Sequence, residues 1–205
     1  MARELYLHTL PARILHWVNA ASIGLLITTG LYIRSPHYFP LFANMDIARK
    51  AHFIAMYVII YGILIRIYYS YVSKDYQELL FRLRDLRSIP DLTKYYLFLK
   101  KSTPDYGKYN PGQKLLYNFW AVLVLFQAIT GFALYWPDVL AWFSRIWGGP
   151  VVLRQAHFLV TWVFIVTVAL HCYLSFLGGW VVVKSMITGY FPEGESMQPA
   201  SEEKP

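Results

Sequence analysis

Two histidines lie in a long apolar stretch at residues 152–178, and their spacing suits metal chemistry. His157 and His171 are fourteen residues apart, so on a helix, at about 100° per residue, their side chains point within about 40° of one another. They lie ~21 Å apart along the helix axis. An imidazole in hydrocarbon is costly and marks a functional site by default. Because imidazoles are axial ligands of haem iron, this pattern predicts haem ligation at two depths.

The elements that must position these histidines are membrane-spanning helices. Of the 205 residues, 57% are hydrophobic and only 15% are charged, which is typical of a membrane protein. Roughly 20 apolar residues cross the ~30 Å hydrocarbon core, and hydropathy predicts four such spans, at residues 14–33, 51–72, 115–136 and 152–178. We therefore predict an all-α membrane protein, a four-transmembrane-helix bundle forming one domain over residues 1–190. Residues 191–205, which are rich in Pro, Glu and Ser, are predicted to be a disordered tail.

The distribution of charge orients this bundle. The loop at residues 73–114 holds nine of the 19 Lys and Arg residues, so the positive-inside rule makes it cytoplasmic, together with both termini. Within it, the segments LLFRLRDL and YYLFLKK, at 79–86 and 95–101, predict short interfacial helices separated by Pro90. The net charge of +7 comes from basic residues near span ends, where they set topology. The expected surroundings are membrane lipid, with no nucleic-acid partner.

The cysteine content limits the cofactor. Cys172 is the only cysteine, so the chain has no disulfide, no thiolate iron–sulfur site and no C-x-x-C-H attachment for a c-type haem. Any haem must therefore be bound non-covalently.

The predicted topology pairs the histidines by depth. The first span runs outward, which places His16 at its cytoplasmic end, and the second runs inward, which places His52 at its outer end. The fourth span offers His157 near the outer face and His171 near the inner face. We therefore expect two haem b groups, one held by His16 and His171 and one by His52 and His157, stacked across the membrane.

Other interpretations of these residues are weaker. A single membrane histidine can be a hydrogen-bonded packing residue, but four at matched depths favour ligation. Zinc needs three or four converging ligands, whereas the two pairs lie ~21 Å apart. His8 and His37 fall in loops and are predicted to be ordinary surface residues.

Basic residues near the histidines are candidate partners for haem propionates. Arg66 follows the second-span histidine by fourteen residues, and Arg13 precedes the first-span histidine by three. Both are candidates for binding the inner haem. Alternatively, Arg66 extends to the cytoplasmic interface and Arg13 is a topological anchor. For Lys50 and Arg154, near the outer haem, the anchor interpretation is favoured.

A set of short motifs in a fixed order points to a known family. The motifs are PARILHW at 11–17, AHF at 51–53, LIRIYYSYV at 64–72, YYLFLKK at 95–101, PDYGKYNPGQK at 104–114, TGFALY at 130–135, QAHF at 155–158 and LHCYLSF at 170–176. In this the chain resembles the di-haem cytochrome b subunits that anchor nickel–iron hydrogenases and formate dehydrogenases. These belong to the wider superfamily of prokaryotic cytochrome b561-like proteins.

The resemblance implies an electron-transfer and quinone-reducing subunit rather than an independent enzyme. The implied donor is a periplasm-facing iron–sulfur subunit with a catalytic hydrogenase-like or formate dehydrogenase-like partner. Electrons would pass through two b haems to menaquinone or ubiquinone in the pool at the cytoplasmic face. Asn110, Gly112, Gln113 and His171 are the implied quinone contacts. The residues themselves leave open that Asn110 to Gly112 only form a turn before the third span.

The resemblance also implies a place in the cell and leaves two other functions to weigh. The implied location is the cytoplasmic membrane of a bacterium or archaeon. The first alternative is a stand-alone cytochrome b561-like quinone oxidoreductase of the superoxide oxidase type, but the long basic loop with GKYNPGQK favours a subunit. The second alternative is a haem-free scaffold or transporter, against which the paired histidines argue.

Overall fold

Four long helices dominate the computed structural model, which describes residues 4–102, 104 and 106–192. Each is long and apolar enough to cross a membrane. They are α1 (Leu10–Arg34), α2 (Met45–Ser73), α5 (Pro111–Tyr135) and α7 (Pro150–Leu177). The prediction of an all-α, multi-pass membrane protein with four spans is therefore confirmed.

The outward faces of the four spans are apolar. Within the most hydrophobic part of each span, between 11% and 22% of the residues are buried inside the protein. Few residues of these segments are therefore enclosed by the protein, and the exposed apolar side chains of the spans are suited to contact with lipid. The helices satisfy their own backbone hydrogen bonds, which is the condition for crossing hydrocarbon.

Short helices occupy the connections between the spans and follow the last one. They are α3 (Tyr76–Leu79), a 3₁₀ helix (Leu83–Ser88), α4 (Ile89–Tyr96), α6 (Ala141–Ile146) and α8 (Trp180–Thr188). The predicted helix at residues 95–101 is wrong, because α4 ends at Tyr96. Pro90 lies in the first turn of α4 instead of separating two helices, since a first-turn residue needs no backbone N–H. The position of these helices at the membrane interface stays a prediction.

One two-stranded sheet joins the two ends of the chain. Strand β1 (Glu4–Tyr6) pairs antiparallel with β2 (Tyr190–Pro192), and Leu5 faces Phe191 across the pair. Gly189, at φ 91°, ends α8 in the left-handed region that favours glycine. Its carbonyl accepts hydrogen bonds from the backbone N–H groups of Leu7 and His8 at 2.8 and 3.2 Å. The strand takes the first two residues of the predicted tail, whose remainder, 193–205, lies outside the described residues.

The chain divides into two compact units. One, called the loop unit, consists of the described residues within Met1–Arg13, Tyr68–Phe119 and Leu170–Pro205. The other, called the bundle unit, consists of Ile14–Ile67 and Trp120–Ala169. The core of the bundle unit is formed by Ile59, Val124 and Phe164, from α2, α5 and α7, and residues of α1 pack against it. All four spans therefore meet in the bundle unit.

The turn at Gly189 gives a test of the strand pairing. A Cβ at Gly189 would lie 2.9 Å from the carbonyl oxygen of His8, whereas a Cβ at Gly107, at φ 73°, would meet no atom within 4 Å. Both Gly→Ala variants carry the left-handed strain of about 1–2 kcal/mol. We expect Gly189→Ala to lower the unfolding temperature in detergent further than Gly107→Ala. Equal shifts would contradict the tight approach of Gly189 to the segment after β1.

Candidate functional site

Two of the predicted histidines face each other in the bundle unit. His52 on α2 and His157 on α7 have ring centroids 6.5 Å apart, with ring planes inclined by 56°. Metal–imidazole bonds are about 2.0 Å long, so two in line, plus roughly 1 Å from each ring centre to its nitrogen, give roughly 6 Å between ring centres. The separation of the two rings is therefore suited to one metal ion between them.

Each imidazole is held by a threonine hydroxyl. The Nδ1 atom of His52 lies 2.8 Å from Oγ1 of Thr29 on α1. The Nδ1 atom of His157 lies 2.8 Å from Oγ1 of Thr130 on α5. The two histidines thus have the same arrangement, in which the partner comes from the span that precedes the histidine's own span.

The hydroxyl protons identify the tautomer of both rings. A hydroxyl has one proton to donate, and the Thr29 hydroxyl lies 2.5 Å from the carbonyl oxygen of Leu25, which can only accept. The Thr130 hydroxyl is likewise 2.8 Å from the carbonyl of Phe126. Each threonine therefore donates to its own helix and accepts from Nδ1–H of the neutral imidazole. Nε2 then carries a lone pair and is the ring nitrogen left available to a metal ion.

A cavity of about 720 Å³ surrounds the two rings, entirely within the bundle unit. Its walls are mainly apolar, aliphatic and aromatic side chains from all four spans. Two glycines lie beside the imidazoles: a Cβ at Gly30 would lie 3.7 Å from Cε1 of His52, and one at Gly131 would lie 3.4 Å from Cε1 of His157. A flat apolar macrocycle with two axial nitrogen ligands fits this chemistry, so the residues present fit a b-type haem.

Three arginines line the mouth of this cavity, at the span ends that the predicted topology places outside. They are Arg34 at the end of α1, Arg49 near the start of α2 and Arg154 near the start of α7. The guanidinium of Arg34 also lies over the ring of Phe158, 5.6 Å from its centroid. Guanidinium groups bind carboxylates with two parallel hydrogen bonds. The mouth is therefore suited to the propionates of a haem.

Lys50, which the sequence places near the outer haem, does not line the cavity. It forms an exposed ion pair with Asp46 at 2.7 Å, one helical turn away. Its neighbour Arg49 lines the cavity instead, because Arg49 and His52 are three residues apart and lie on the same face of α2.

The two histidines of the predicted inner pair lie in different units of the chain. His16 lies in the bundle unit, half-buried, with its ring edge-on to Trp17 at 5.2 Å. His171 lies in the loop unit, with its ring edge-on to that of Tyr117 at 6.4 Å. Because they belong to different units, their pairing around a second haem stays a prediction.

The two arginines predicted near the inner haem are partly buried. Arg13, in the loop unit, donates from Nη1 to the backbone carbonyl of Ile187. Its Nε is buried and has no hydrogen-bond partner among the residues that the structure describes, which leaves a donor for an acidic group. Arg66 is half-buried in the bundle unit. Their contacts with propionates stay predictions.

The predicted quinone contacts Asn110 and Gln113 form a capping box at the start of α5. The backbone N–H of Gln113 donates to Oδ1 of Asn110 at 2.9 Å, and that of Asn110 donates to Oε1 of Gln113 at 3.0 Å. Nδ2 of Asn110 donates to the Tyr96 hydroxyl at 3.2 Å. Burial raises the pKa of Tyr96, so its phenol stays protonated at neutral pH.

The third predicted quinone contact of this segment, Gly112, packs closely against α4. A Cβ at Gly112 would lie 3.1 Å from Cδ2 of Leu92. Asn110, Gly112 and Gln113 together start a helix, and their contact with a quinone stays a prediction.

Of the two histidines predicted to be ordinary surface residues, only one has a side chain near the surface. His37 is exposed, as expected. His8 is only 6% exposed, so its prediction is wrong. The pairing of β1 with β2 brings the backbone of His8 against Gly189, to whose carbonyl the His8 N–H donates, a contact between distant parts of the chain that the sequence does not reveal.

Both threonines and Arg49 were not predicted as site residues, although a repeat in the sequence marks them. The pattern Arg-x-Ala-His-Phe occurs twice, as RKAHF at 49–53 and as RQAHF at 154–158. Within the spans, the dipeptide Thr-Gly occurs at 29–30 and at 130–131; a third copy, at 188–189, lies at the end of α8. The first copy lies on α1 and α2 and the second on α5 and α7. Each pair of spans therefore supplies one histidine with its threonine, glycine and arginine.

Comparisons with known proteins agree with a haem site. The family model described as prokaryotic cytochrome b561 matches residues 7–189. The chain is 33% identical over 192 residues to the probable Ni/Fe-hydrogenase B-type cytochrome subunit of Azotobacter vinelandii, covering 83% of this chain and 79% of that protein. It is 30% identical over 210 residues to the protein of the same name from Bradyrhizobium diazoefficiens, covering 90% and 84%. It is 27% identical over 213 residues to the probable Ni/Fe-hydrogenase 1 B-type cytochrome subunit of Escherichia coli K12, covering 90% and 89%.

The glycines beside the imidazoles give a test of the cavity. We expect Gly131→Val to lower the ratio of haem to protein in the purified chain, because the valine methyl groups would press on the His157 ring. Gly24→Val is the matched control, since Gly24 is in a span and a Cβ there would meet nothing within 4 Å. A normal haem ratio in Gly131→Val would show that no haem lies against this ring.

Proposed function

Because this chain belongs to the prokaryotic cytochrome b561 family, we propose that it is the b-type cytochrome subunit of a nickel–iron hydrogenase complex. In this role it transfers electrons between a partner subunit at the outer face of the membrane and a quinone near the cytoplasmic face. The observation that carries the proposal is the facing pair of imidazoles, His52 and His157, each with Nδ1 occupied and Nε2 available.

The cofactors in this proposal are two b haems per chain. His52 and His157 would hold the outer haem through their Nε2 atoms, and His16 and His171 would hold the inner one. A haem bound in this way supplies one-electron exchange at its iron. The proposal of the outer site is supported by the separation of the His52 and His157 rings in the structure, and that of the inner site by the predicted topology.

The residues around the outer site have separate tasks. The threonines orient the imidazoles, and the glycines leave room beside them. The mainly apolar walls would exclude water, which would keep the local dielectric constant low and strengthen electrostatic interactions. Arg34, Arg49 and Arg154 would bind the propionates at the mouth, which directs the polar edge of the haem toward the outer face.

The names of the similar proteins favour a hydrogenase over a formate dehydrogenase as the partner. An iron–sulfur subunit as the direct electron donor is part of the proposal and does not rest on those names. The bacterial or archaeal cytoplasmic membrane is the location consistent with a periplasm-facing donor. The same names favour a subunit over a stand-alone oxidoreductase, since each of them describes a subunit.

The quinone is proposed to bind near the start of α5 and His171. The oxygen and nitrogen atoms of the Asn110 side chain are used in the capping box and in the bond to Tyr96. The amide nitrogen of Gln113 is then the group best suited to donate to a quinone carbonyl. Gly112, beside it, allows the close packing of this segment against Leu92.

The haem ligands can be tested by counting haems. We expect two b haems per chain in the purified protein by the pyridine haemochrome assay. His52→Ala or His157→Ala should remove the outer haem, and His16→Ala or His171→Ala should remove the inner one, because a b haem with one axial ligand lost is weakly held. His37→Ala, in the connection between α1 and α2, is the control and should retain two. A haem-free wild-type protein would refute the proposal.

The partner can be tested in native membranes. A tagged chain, isolated in mild detergent from the organism that makes it, should co-purify with a nickel–iron catalytic subunit and an iron–sulfur subunit. Hydrogen should then reduce its haems. A haem-containing protein that no hydrogen reduces, and that carries no such subunits, would favour the stand-alone quinone oxidoreductase instead.

A further inference from the structure

We propose that Thr29 and Thr130 are positioning residues that set the reduction potential of the outer haem and the strength with which it is held. They do so by accepting the Nδ1–H hydrogen bonds of His52 and His157. The inference rests on the proposed function, because it requires iron between the two Nε2 atoms.

Each threonine hydroxyl is the middle member of a chain of hydrogen bonds. The imidazole N–H donates to the hydroxyl, and the hydroxyl donates to a backbone carbonyl one turn earlier in its own helix, at Leu25 or Phe126. Hydrogen bonds in series polarise one another. A hydroxyl that donates is therefore a better acceptor for the imidazole than an isolated hydroxyl would be.

Because both threonines are buried, no water molecule from bulk solvent can take the place of their hydroxyls as hydrogen-bond acceptors. Thr29 and Thr130 are each 0% exposed, so bulk water does not reach the hydroxyl oxygen and does not replace it as an acceptor. An unsatisfied Nδ1–H in this interior would be unfavourable, since a buried donor that loses its acceptor forfeits its hydration as well. The protein therefore depends on the two hydroxyls to hold the neutral imidazoles in the tautomer that leaves Nε2 free.

The hydrogen bond changes the imidazole as a ligand. Donation of the Nδ1 proton raises the electron density of the ring and its basicity at Nε2. A more basic ligand stabilises ferric iron more than ferrous iron, and so lowers the reduction potential. Loss of the acceptor should therefore raise the potential and weaken the iron–nitrogen bond. For metal sites in general, loss of such a partner weakens metal binding by about 10–100-fold.

Thr28 serves as a control, because its hydroxyl bonds to the helix backbone without being assigned a contact with a histidine. Thr28 makes the same kind of backbone contact as Thr29, with its hydroxyl 3.0 Å from the carbonyl of Gly24, but its side chain is less buried than that of Thr29. A purely structural role of span threonines predicts equal effects at Thr28 and Thr29. The proposal predicts an effect at Thr29 alone.

The experiment is a redox titration of the full-length purified protein, with the inner haem as an internal reference. Thr29→Val and Thr130→Val keep the shape of the side chain and remove the acceptor. Each should raise the potential of one haem, leave the other unchanged, and speed the transfer of that haem to apomyoglobin by about 10–100-fold. Thr29→Ser and Thr130→Ser should restore both properties, and Thr28→Val should match the wild type.

The outcomes separate this inference from the function on which it rests. Unchanged potential and transfer rate in both Val variants, or identical behaviour of the Ser and Val variants, would overturn the role of the threonines while the haem site stands. A wild-type protein without haem would instead overturn the proposed function. If one Val variant does not accumulate, the other tests the proposal independently, because the two threonines lie on different helices.

Discussion

The arrangement of the outer site depends on the need to give the Nδ1–H group of each imidazole a hydrogen-bond partner in a membrane interior. A histidine that ligates a metal through Nε2 almost always donates its other ring N–H to a partner, which fixes the tautomer and the ring orientation. Thr29 and Thr130 provide these partners from neighbouring helices. The hydrogen bonds therefore couple the position of each ligand to the packing of α1 on α2 and of α5 on α7.

The remaining features of the bundle unit follow from the same requirement. Gly30 and Gly131 come directly after the two threonines, so the backbone lies close to the ring that the threonine holds. The cavity walls are mainly apolar, and the charged residues that line it are arginines at the mouth. The site thus keeps the Nδ1 atoms of both histidines in hydrogen bonds and has its cationic groups near the ends of the spans. Gln127 also lines the cavity, and its buried Oε1 has no hydrogen-bond partner among the residues that the structure describes.

Much of this architecture could be predicted from the sequence, because the strongest signals in the chain are hydropathy and the spacing of histidines. The topology placed His52 and His157 at one depth, and the structure brings their rings together. The threonines could not be found in this way, since a hydroxyl in an apolar helix most often bonds to its own backbone and the rotation of one helix against another is not visible in hydropathy. Strands of three residues, joined across nearly the whole chain, carry no periodic signal either.

An iron ion between His52 and His157 is the feature on which the proposed electron transfer depends. It can be observed in a density map of the purified, haem-loaded protein in a lipid nanodisc, obtained by electron cryomicroscopy. We expect a haem in the cavity of the bundle unit, with its iron about 2.0 Å from both Nε2 atoms and both Nδ1 atoms still bonded to Thr29 and Thr130. A lipid chain or quinone tail in that cavity, or an iron bound through Nδ1, would contradict the proposed site.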